Sequence, residues 1–252
     1  MRLGIIGVGH LAGSLLAGVR RAGWAPDEVL LAPRGHGPEL AGRFGHALAR
    51  DNAEVVAVCD TVLLAVRPAH AMEAVAGLGW RSGQVLISAC AGVPSGALAG
   101  AVAPARVVRI MPMTAAEFGA SPTVVWPDEP AARPFLSAIG TAIPLASEAD
   151  FETATVSAAV YGWAQELIAR AVEWSAAQGL PEATARQLVA QTFAGAARMQ
   201  AESAAPMRQL LAELVTPGGI TEAGLEHLRD AGALEAWDGA CAVVLERLRG
   251  AT

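Results

Sequence analysis

The sequence predicts a doubly wound α/β sheet domain over residues 1–148 followed by an all-α domain over residues 149–252. Three observations carry that reading. Short apolar runs alternate with helix-period segments up to about Glu148. A glycine-rich turn, Gly7-Val8-Gly9, follows the first of those runs. From Phe151 to Leu248 no strand signal survives, and the chain becomes a series of alanine-rich helical stretches. Strands that alternate with helices imply a parallel sheet covered on both faces.

The elements follow in order. Leu3–Ile6 is a short apolar run bounded by glycine, and Leu11 to Ala22 carries apolar residues at helical spacing and ends near Gly23. Val29–Ala32 reads as a second strand and Glu39–Leu48 as a helix. Val55–Val58 is a short apolar piece before Asp60, and Val62–Val66 a buried strand stopped by Arg67-Pro68. Ala69–Leu78 is helical, Val85–Ala89 a strand and Ser95–Ala101 a short helix. Val107–Ile110 and Thr123–Trp126 are further strands. In the second half Glu152 to Gln178 is helical and Gly179 ends it. Pro181 suits the first residue of the next helix, which runs to about Ala204. Met207–Leu214, Glu222–Asp230 and Leu234–Arg249 complete the set. Small residues lie on more than one side of the long helices (Ala158, Ala159, Ala164, Ala194, Ala196, Ala197), which permits close packing on each other or on a second copy.

Composition removes several classes of function. The net charge of −6 offers nothing to nucleic acid or to an anionic membrane. All 18 basic residues are arginine. The chain therefore has no lysine for a Schiff base, a general base or a phosphate clamp. Dehydrogenases that rely on a catalytic lysine, the β-hydroxyacid dehydrogenases among them, are excluded in their usual form. Cys59, Cys90 and Cys241 are far apart and form neither a metal-ligand spacing nor a disulfide framework. They read as reduced core residues and no metal is expected. The first residues run straight into a strand, so no signal peptide is expected and the cytoplasm is the expected compartment. The longest apolar stretch, residues 87–105, is broken by Pro94 and Pro104 and reads as strand, turn and helix, not as a membrane span.

Two turns carry the chemistry. Gly7-Val8-Gly9-His10-Leu11-Ala12 opens the first helix directly after the first strand. In a Rossmann-type turn the first glycine allows the bend, the second lets a pyrophosphate approach the backbone, and a small residue lets helix and strand pack. Gly7, Gly9, His10 and Leu11 are thus candidate cofactor contacts. The end of the second strand reads Leu31-Ala32-Pro33-Arg34, with arginine where an NAD-preferring site carries Asp or Glu. Arg34 suits the 2′-phosphate of NADPH, with NADH the lesser expectation. The second turn is Thr216-Pro217-Gly218-Gly219-Ile220-Thr221, ahead of a helix-period segment. Such a turn presents backbone N–H groups at a helix N-terminus, where a carboxylate can bind. Thr221 is read either as the helix N-cap or as a substrate ligand, or both.

Taken together, these segments resemble the pyrroline-5-carboxylate reductases, and the resemblance covers nearly the whole chain. Gly7-x-Gly9-x-x-Ala12 is similar to the family's nucleotide turn. Residues 60–68, from Asp60 to Pro68, are similar to its D-x-V-x-L-A-V-K-P segment, with Arg67 in place of lysine. Ser88-Ala89-Cys90-Ala91-Gly92-Val93 looks like S-x-x-A-G-V, and residues 108–114 look like V-R-x-M-P-N-T. Residues 216–221 look like S-P-G-G-x-T, the most diagnostic match.

The resemblance implies a Rossmann domain and a helical dimerisation domain that interlocks with a second subunit, as a homodimer or a ring of dimers. It implies reduction of a small cyclic imine bearing a carboxylate, with hydride from the cofactor. Val66, Arg67, Pro68, Ala91, Met111 and Pro112 would border that cofactor, with Val66, Met111 and Pro112 forming the nicotinamide shelf. Gly218, Gly219 and Ile220 would offer backbone N–H groups to the substrate carboxylate, with Thr216 also at the substrate, and Thr221 would be the catalytic hydrogen-bond partner of the ring nitrogen, directly or through water.

Two departures stand out. Met113 replaces the asparagine of M-P-N-T. The family's G-S-G-P-A-Y pocket motif has no counterpart in Ser157-Ala158-Ala159-Val160-Tyr161-Gly162-Trp163. Tyr161 and Trp163 then suggest a bulkier substrate wall, or else helical core. Pyrroline-5-carboxylate, a different cyclic imine, and an NADP(H)-binding protein without catalysis are the three readings that follow.

Overall fold

The computed structural model describes residues 2–250. The chain divides into two compact units, one of residues 159–244 and one of the rest. The sheet unit begins with β1 (Leu3–Ile6), α1 (His10–Arg21), β2 (Val29–Leu31), α2 (Gly37–Phe44), β3 (Ala47–Leu48) and α3 (Asn52–Val58). It continues with β4 (Thr61–Leu64), α4 (Ala71–Val75), β5 (Val85–Ser88), α5 (Ser95–Val102) and β6 (Arg106–Met111). β7 (Ser121–Trp126), α6 (Arg133–Ile139) and β8 (Gly140–Pro144) close it.

All eight strands form one sheet in the order β3-β2-β1-β4-β5-β6-β7-β8. Successive strand residues point to opposite faces, and the core splits accordingly. Leu3, Ile5, Leu63, Ile87 and Val108 pack on one side with Leu15, Leu16 and Val19 of α1, Phe44 of α2 and Phe135 and Ile139 of α6. Ile6, Val62, Leu64 and Leu86 pack on the other with Val55 and Val56 of α3, Val75 of α4 and Leu98 and Val102 of α5. This is the doubly wound architecture the alternation predicts. Strand order reverses at β1, between β2 and β4, which is where such sheets open a ligand crevice.

Two expectations are corrected, and one apolar piece gains its element. The segment read as a helix to Leu48 stops at Phe44, because Gly45 takes a left-handed C-cap with φ +76°. Ala47 and Leu48 then pair with Leu30 and Leu31 as an edge strand. Val55–Val58 belongs to a helix, α3, capped by Asp51, whose side chain accepts from the Glu54 N–H at 2.8 Å. The sheet is not wholly parallel: β6 and β7 run antiparallel, with Ile110 opposite Val125. The link over residues 112–120 holds only a 3-10 turn, too short for a parallel crossover.

The second half comprises α7 (Phe151–Ala177), α8 (Glu182–Glu202), α9 (Met207–Leu214), α10 (Ile220–Asp230) and α11 (Ala233–Arg249). Pro181 is the N-cap of α8, one position earlier than expected. The first turns of α7 pack on the sheet unit: Phe151 is buried with Met111 and Val124. Within the helical unit Trp163 and Trp237 meet edge to face at 5.3 Å between centroids. No helix among the described residues is long and apolar enough to cross a membrane.

Candidate active site

The cofactor candidates of the sheet unit lie along one edge. Gly7 and Gly9 follow β1, Val66, Arg67 and Pro68 follow β4, Ala91 follows β5, and Met111 ends β6 before Pro112. These are the carboxyl ends of neighbouring parallel strands, the expected place for a dinucleotide. Gly7 sits at φ +91°, and a Cβ there would lie 2.5 Å from the Ala65 carbonyl carbon. The turn is therefore held against the end of β4, where the Ala65 N–H also donates to the Ile6 carbonyl at 2.8 Å. A Cβ on Gly9 would meet no protein atom within 4 Å, so that side of the turn is open. His10 is exposed and Leu11 is half-buried against the core.

The loop carrying Arg34 is tied to this turn. The His36 N–H donates to the Val8 carbonyl at 2.8 Å. Gly35 permits that approach, since a Cβ on it would lie 2.7 Å from the Val8 oxygen. Arg34 itself is exposed. It lines a cavity of about 740 Å³ together with Gly7, Asn52, Val66, His70 and Leu78. Asn52, not singled out in the sequence, donates to the Ala74 carbonyl at 3.1 Å and so ties α3 to the end of α4. An open glycine turn beside a cavity that the exposed Arg34 lines fits an adenine dinucleotide phosphate.

Farther along the edge, Met111 and Pro112 are buried. Met113, the departure from asparagine, is also buried, and its N–H donates to the Ser121 hydroxyl at 2.8 Å. It serves as packing. β6 also carries a group that no local signal in the sequence marks. Arg109 is 2% exposed and its Nη1 donates to Glu148 at 3.1 Å. Its Nη2 donates to Glu152 at 2.5 Å, and the guanidinium lies 4.0 Å from the centre of the Phe151 ring. Glu148 also accepts from the Ser95 N–H and hydroxyl, each at 2.7 Å. The end of β6, the start of α5 and the first turn of α7 are thereby joined.

Burial alone would raise the Glu148 carboxyl, but the Ser95 and Arg109 hydrogen bonds more than offset it and hold it below the ordinary range. A depressed folded pKa stabilises the fold above the unfolded value, and that contribution is lost as pH falls through the folded one. Thermal midpoints are therefore expected to fall on acidification below about pH 4. Glu148→Gln is expected to flatten that acid limb, as scanning calorimetry against pH would show. The two buried thiols are unreactive by comparison: burial pushes Cys59 up to about 11 and raises Cys90 as well.

The second turn belongs to the helical unit. α10 starts at Ile220 with Gly219 as its N-cap, so Thr221 is not the cap but the second helical residue, and it is exposed. Two of the expected backbone donors are already engaged. The Gly219 N–H donates to the Thr216 carbonyl at 2.9 Å. The Gly218 N–H donates to the Glu222 carboxylate at 2.6 Å. The N–H groups of Ile220 and Thr221, in the first turn of α10, have no intrahelical acceptor and remain for a ligand. Tyr161 is half-buried on α7, and Trp163 meets Trp237 edge to face.

Comparison with known proteins agrees with both halves. A family model described as pyrroline-5-carboxylate reductase dimerisation matches residues 148–250, and one described as NADP oxidoreductase, coenzyme F420-dependent, matches residues 2–92. The chain is 32% identical to the pyrroline-5-carboxylate reductase of Pseudomonas aeruginosa, over 90% of this chain and 88% of that protein. The chain belongs to the pyrroline-5-carboxylate reductase family. The reductase of Methanosarcina acetivorans is 28% identical over 98% of this chain and 96% of its own. Among solved structures, the Plasmodium falciparum pyrroline carboxylate reductase with NADP bound superposes with a TM-score of 0.88 at 22% identity, covering 100% of this chain and 98% of that one. The fold is thus shared at low sequence identity.

Proposed function

We propose that this protein is an NADPH-dependent oxidoreductase that reduces the C=N bond of pyrroline-5-carboxylate, giving proline. The observation that carries the reading is family membership over nine-tenths of the chain, joined to a nucleotide turn and a Pro-Gly-Gly-Ile-Thr turn that are both intact. NADPH supplies the hydride. The Gly7–Gly9 turn and the N-terminus of α1 hold its pyrophosphate, and Arg34 meets its 2′-phosphate. Met111 packs with Val124 and Phe151 and gives the ring-facing edge its rigidity, with Pro112 next to it in the chain. The Ile220 and Thr221 N–H groups take the substrate carboxylate, and the Thr221 hydroxyl bonds the ring nitrogen. A protonated cyclic imine requires no strong acid, so a chain without lysine can catalyse the step by positioning alone. The protein acts as a homo-oligomer built on residues 148–250. We assign the dimer as its unit and the cytoplasm as its compartment.

A second reading, a larger or less acidic cyclic imine, draws on two observations. Glu222 already occupies the Gly218 N–H, and Trp163 meets Trp237 edge to face where the family's pocket motif is missing. NADPH oxidation with a panel of cyclic imines, with and without a carboxylate, separates the readings. Turnover of pyrroline-5-carboxylate supports the first, and activity confined to uncharged or larger imines supports the second. NADPH binding without turnover of any imine would sink both. Thr221→Ala is expected to lower kcat/KM roughly tenfold to a hundredfold, the loss of one hydrogen bond to a charged group. An unchanged kcat/KM removes Thr221 from the mechanism.

A further inference from the structure

We propose that Arg50 is the second half of a two-guanidinium clamp that selects NADPH through its 2′-phosphate. The inference rests on the NADPH reading above and adds a specificity-determining residue to it. Arg34 and Arg50 are 16 positions apart in sequence. β3 brings them together. It pairs in parallel with β2, Leu48 opposite Leu31, and the Ala49 N–H extends the ladder to the Leu31 carbonyl at 2.8 Å. Neighbouring strands lie about 4.8 Å apart. Arg34 and Arg50 leave the same ends of those two strands, and both line the 740 Å³ cavity beside Gly7.

Local bonds orient Arg50 for this task. A single Glu54 oxygen accepts from the Arg50 main-chain N–H at 2.7 Å and from its Nε at 3.0 Å. The Nε edge is committed, and no hydrogen bond from Nη1 or Nη2 is found among the described residues. Those two nitrogens can meet a phosphate as a fork. The acidic groups around the cavity are already engaged. Asp51 caps α3 through the Glu54 N–H at 2.8 Å, and Glu73 lies 3.8 Å from His70. Arg34 and the two Nη nitrogens of Arg50 are left as the guanidinium donors available to a dianion; Glu54 pairs with Arg50 only through Nε and the main chain, and the Arg50 side chain is 85% exposed.

The test is calorimetric titration of the purified protein with 2′,5′-ADP and with 5′-AMP, ligands that differ only in the 2′-phosphate. The wild type is expected to bind 2′,5′-ADP more tightly. Arg50→Ala is expected to weaken 2′,5′-ADP about tenfold or more while leaving 5′-AMP unchanged, with Arg50→Lys between them. The NADPH-over-NADH ratio of kcat/KM should fall in parallel. An Arg50→Ala protein that keeps the wild-type preference overturns the clamp and leaves the NADPH reading standing. Equal weakening of both ligands also overturns it, since the effect would then be on the fold of the cavity. A wild type that does not distinguish the two ligands overturns the NADPH reading and the clamp together.

Discussion

Arg109→Met is expected to destabilise the protein by about 3 kcal/mol, the lower part of the range for breaking a buried ion pair by removing one partner. Urea denaturation followed by fluorescence would read it as a lower midpoint at unchanged slope. The side chain is 2% exposed, and its charge is shared between Glu148 and Glu152. Methionine matches much of the volume but satisfies neither carboxylate. Glu148 keeps its two Ser95 bonds, so the loss falls mainly on Glu152, whose Oε2 already has no partner among the described residues. Both glutamates still reach some water, at 26% and 17% exposure, which is why the lower end of the range applies.

A buried ion pair is weak evidence of net stability, because desolvation offsets much of the attraction. The double change Arg109→Met with Glu152→Leu is therefore expected to be milder than Arg109→Met alone. A double-mutant cycle on the same denaturation signal would show a favourable coupling. Additive effects would mean that Arg109 acts through its packing on Phe151 and not through charge. Arg109→Lys should fall between wild type and methionine, since one ammonium cannot span two carboxylates with a fork.

This strut shows what the sequence could and could not disclose. Arg109 was visible only as part of a motif. Its carboxylate partners lie 39 and 43 residues downstream, and nothing local links them. Elements with strong local signals were read directly. Leu3–Ile6 with its glycine turn is one, and α9, bounded as expected at Met207 and Leu214, is another. The errors lie where local signals were weak or outvoted. Ala47-Leu48 continues a helical spacing, and only Gly45 marks the stop. Asp51 and Glu54 have the spacing of a helix start, but the helix they open is only seven residues long and too short to show a period. β8 is exposed along most of its length and ends in Pro144, so it has neither alternation nor a buried run to announce it. The substrate turn was legible as a turn. That its Gly218 N–H meets Glu222 was not, because the four-residue spacing acquires meaning only once α10 is seen to start at Ile220.

At the nucleotide turn the two glycines are expected to fail in different ways. Gly7→Ala should cost the fold about 2–5 kcal/mol, combining a positive-φ penalty with an overpacked contact. Its φ of +91° is one that L-residues rarely adopt. Its Cβ would press on Ala65 and on the Val66 nitrogen at 2.6 Å, and these are backbone atoms at the end of a paired central strand that cannot swing aside. Gly9→Ala meets no such obstacle. Gly9 has φ −107°, and a Cβ on it finds open space. That space is where the proposed pyrophosphate contact falls. Gly9→Ala is therefore expected to unfold at the wild-type temperature without cofactor, yet to bind NADPH at least tenfold more weakly, at a cost of about 1.4 kcal/mol or more. Differential scanning fluorimetry with and without NADPH separates the two. Gly7→Ala should melt early in both conditions, whereas Gly9→Ala should lose only the shift that NADPH produces in the wild type. A Gly9→Ala protein that keeps the full NADPH shift would place the cofactor elsewhere than on this turn.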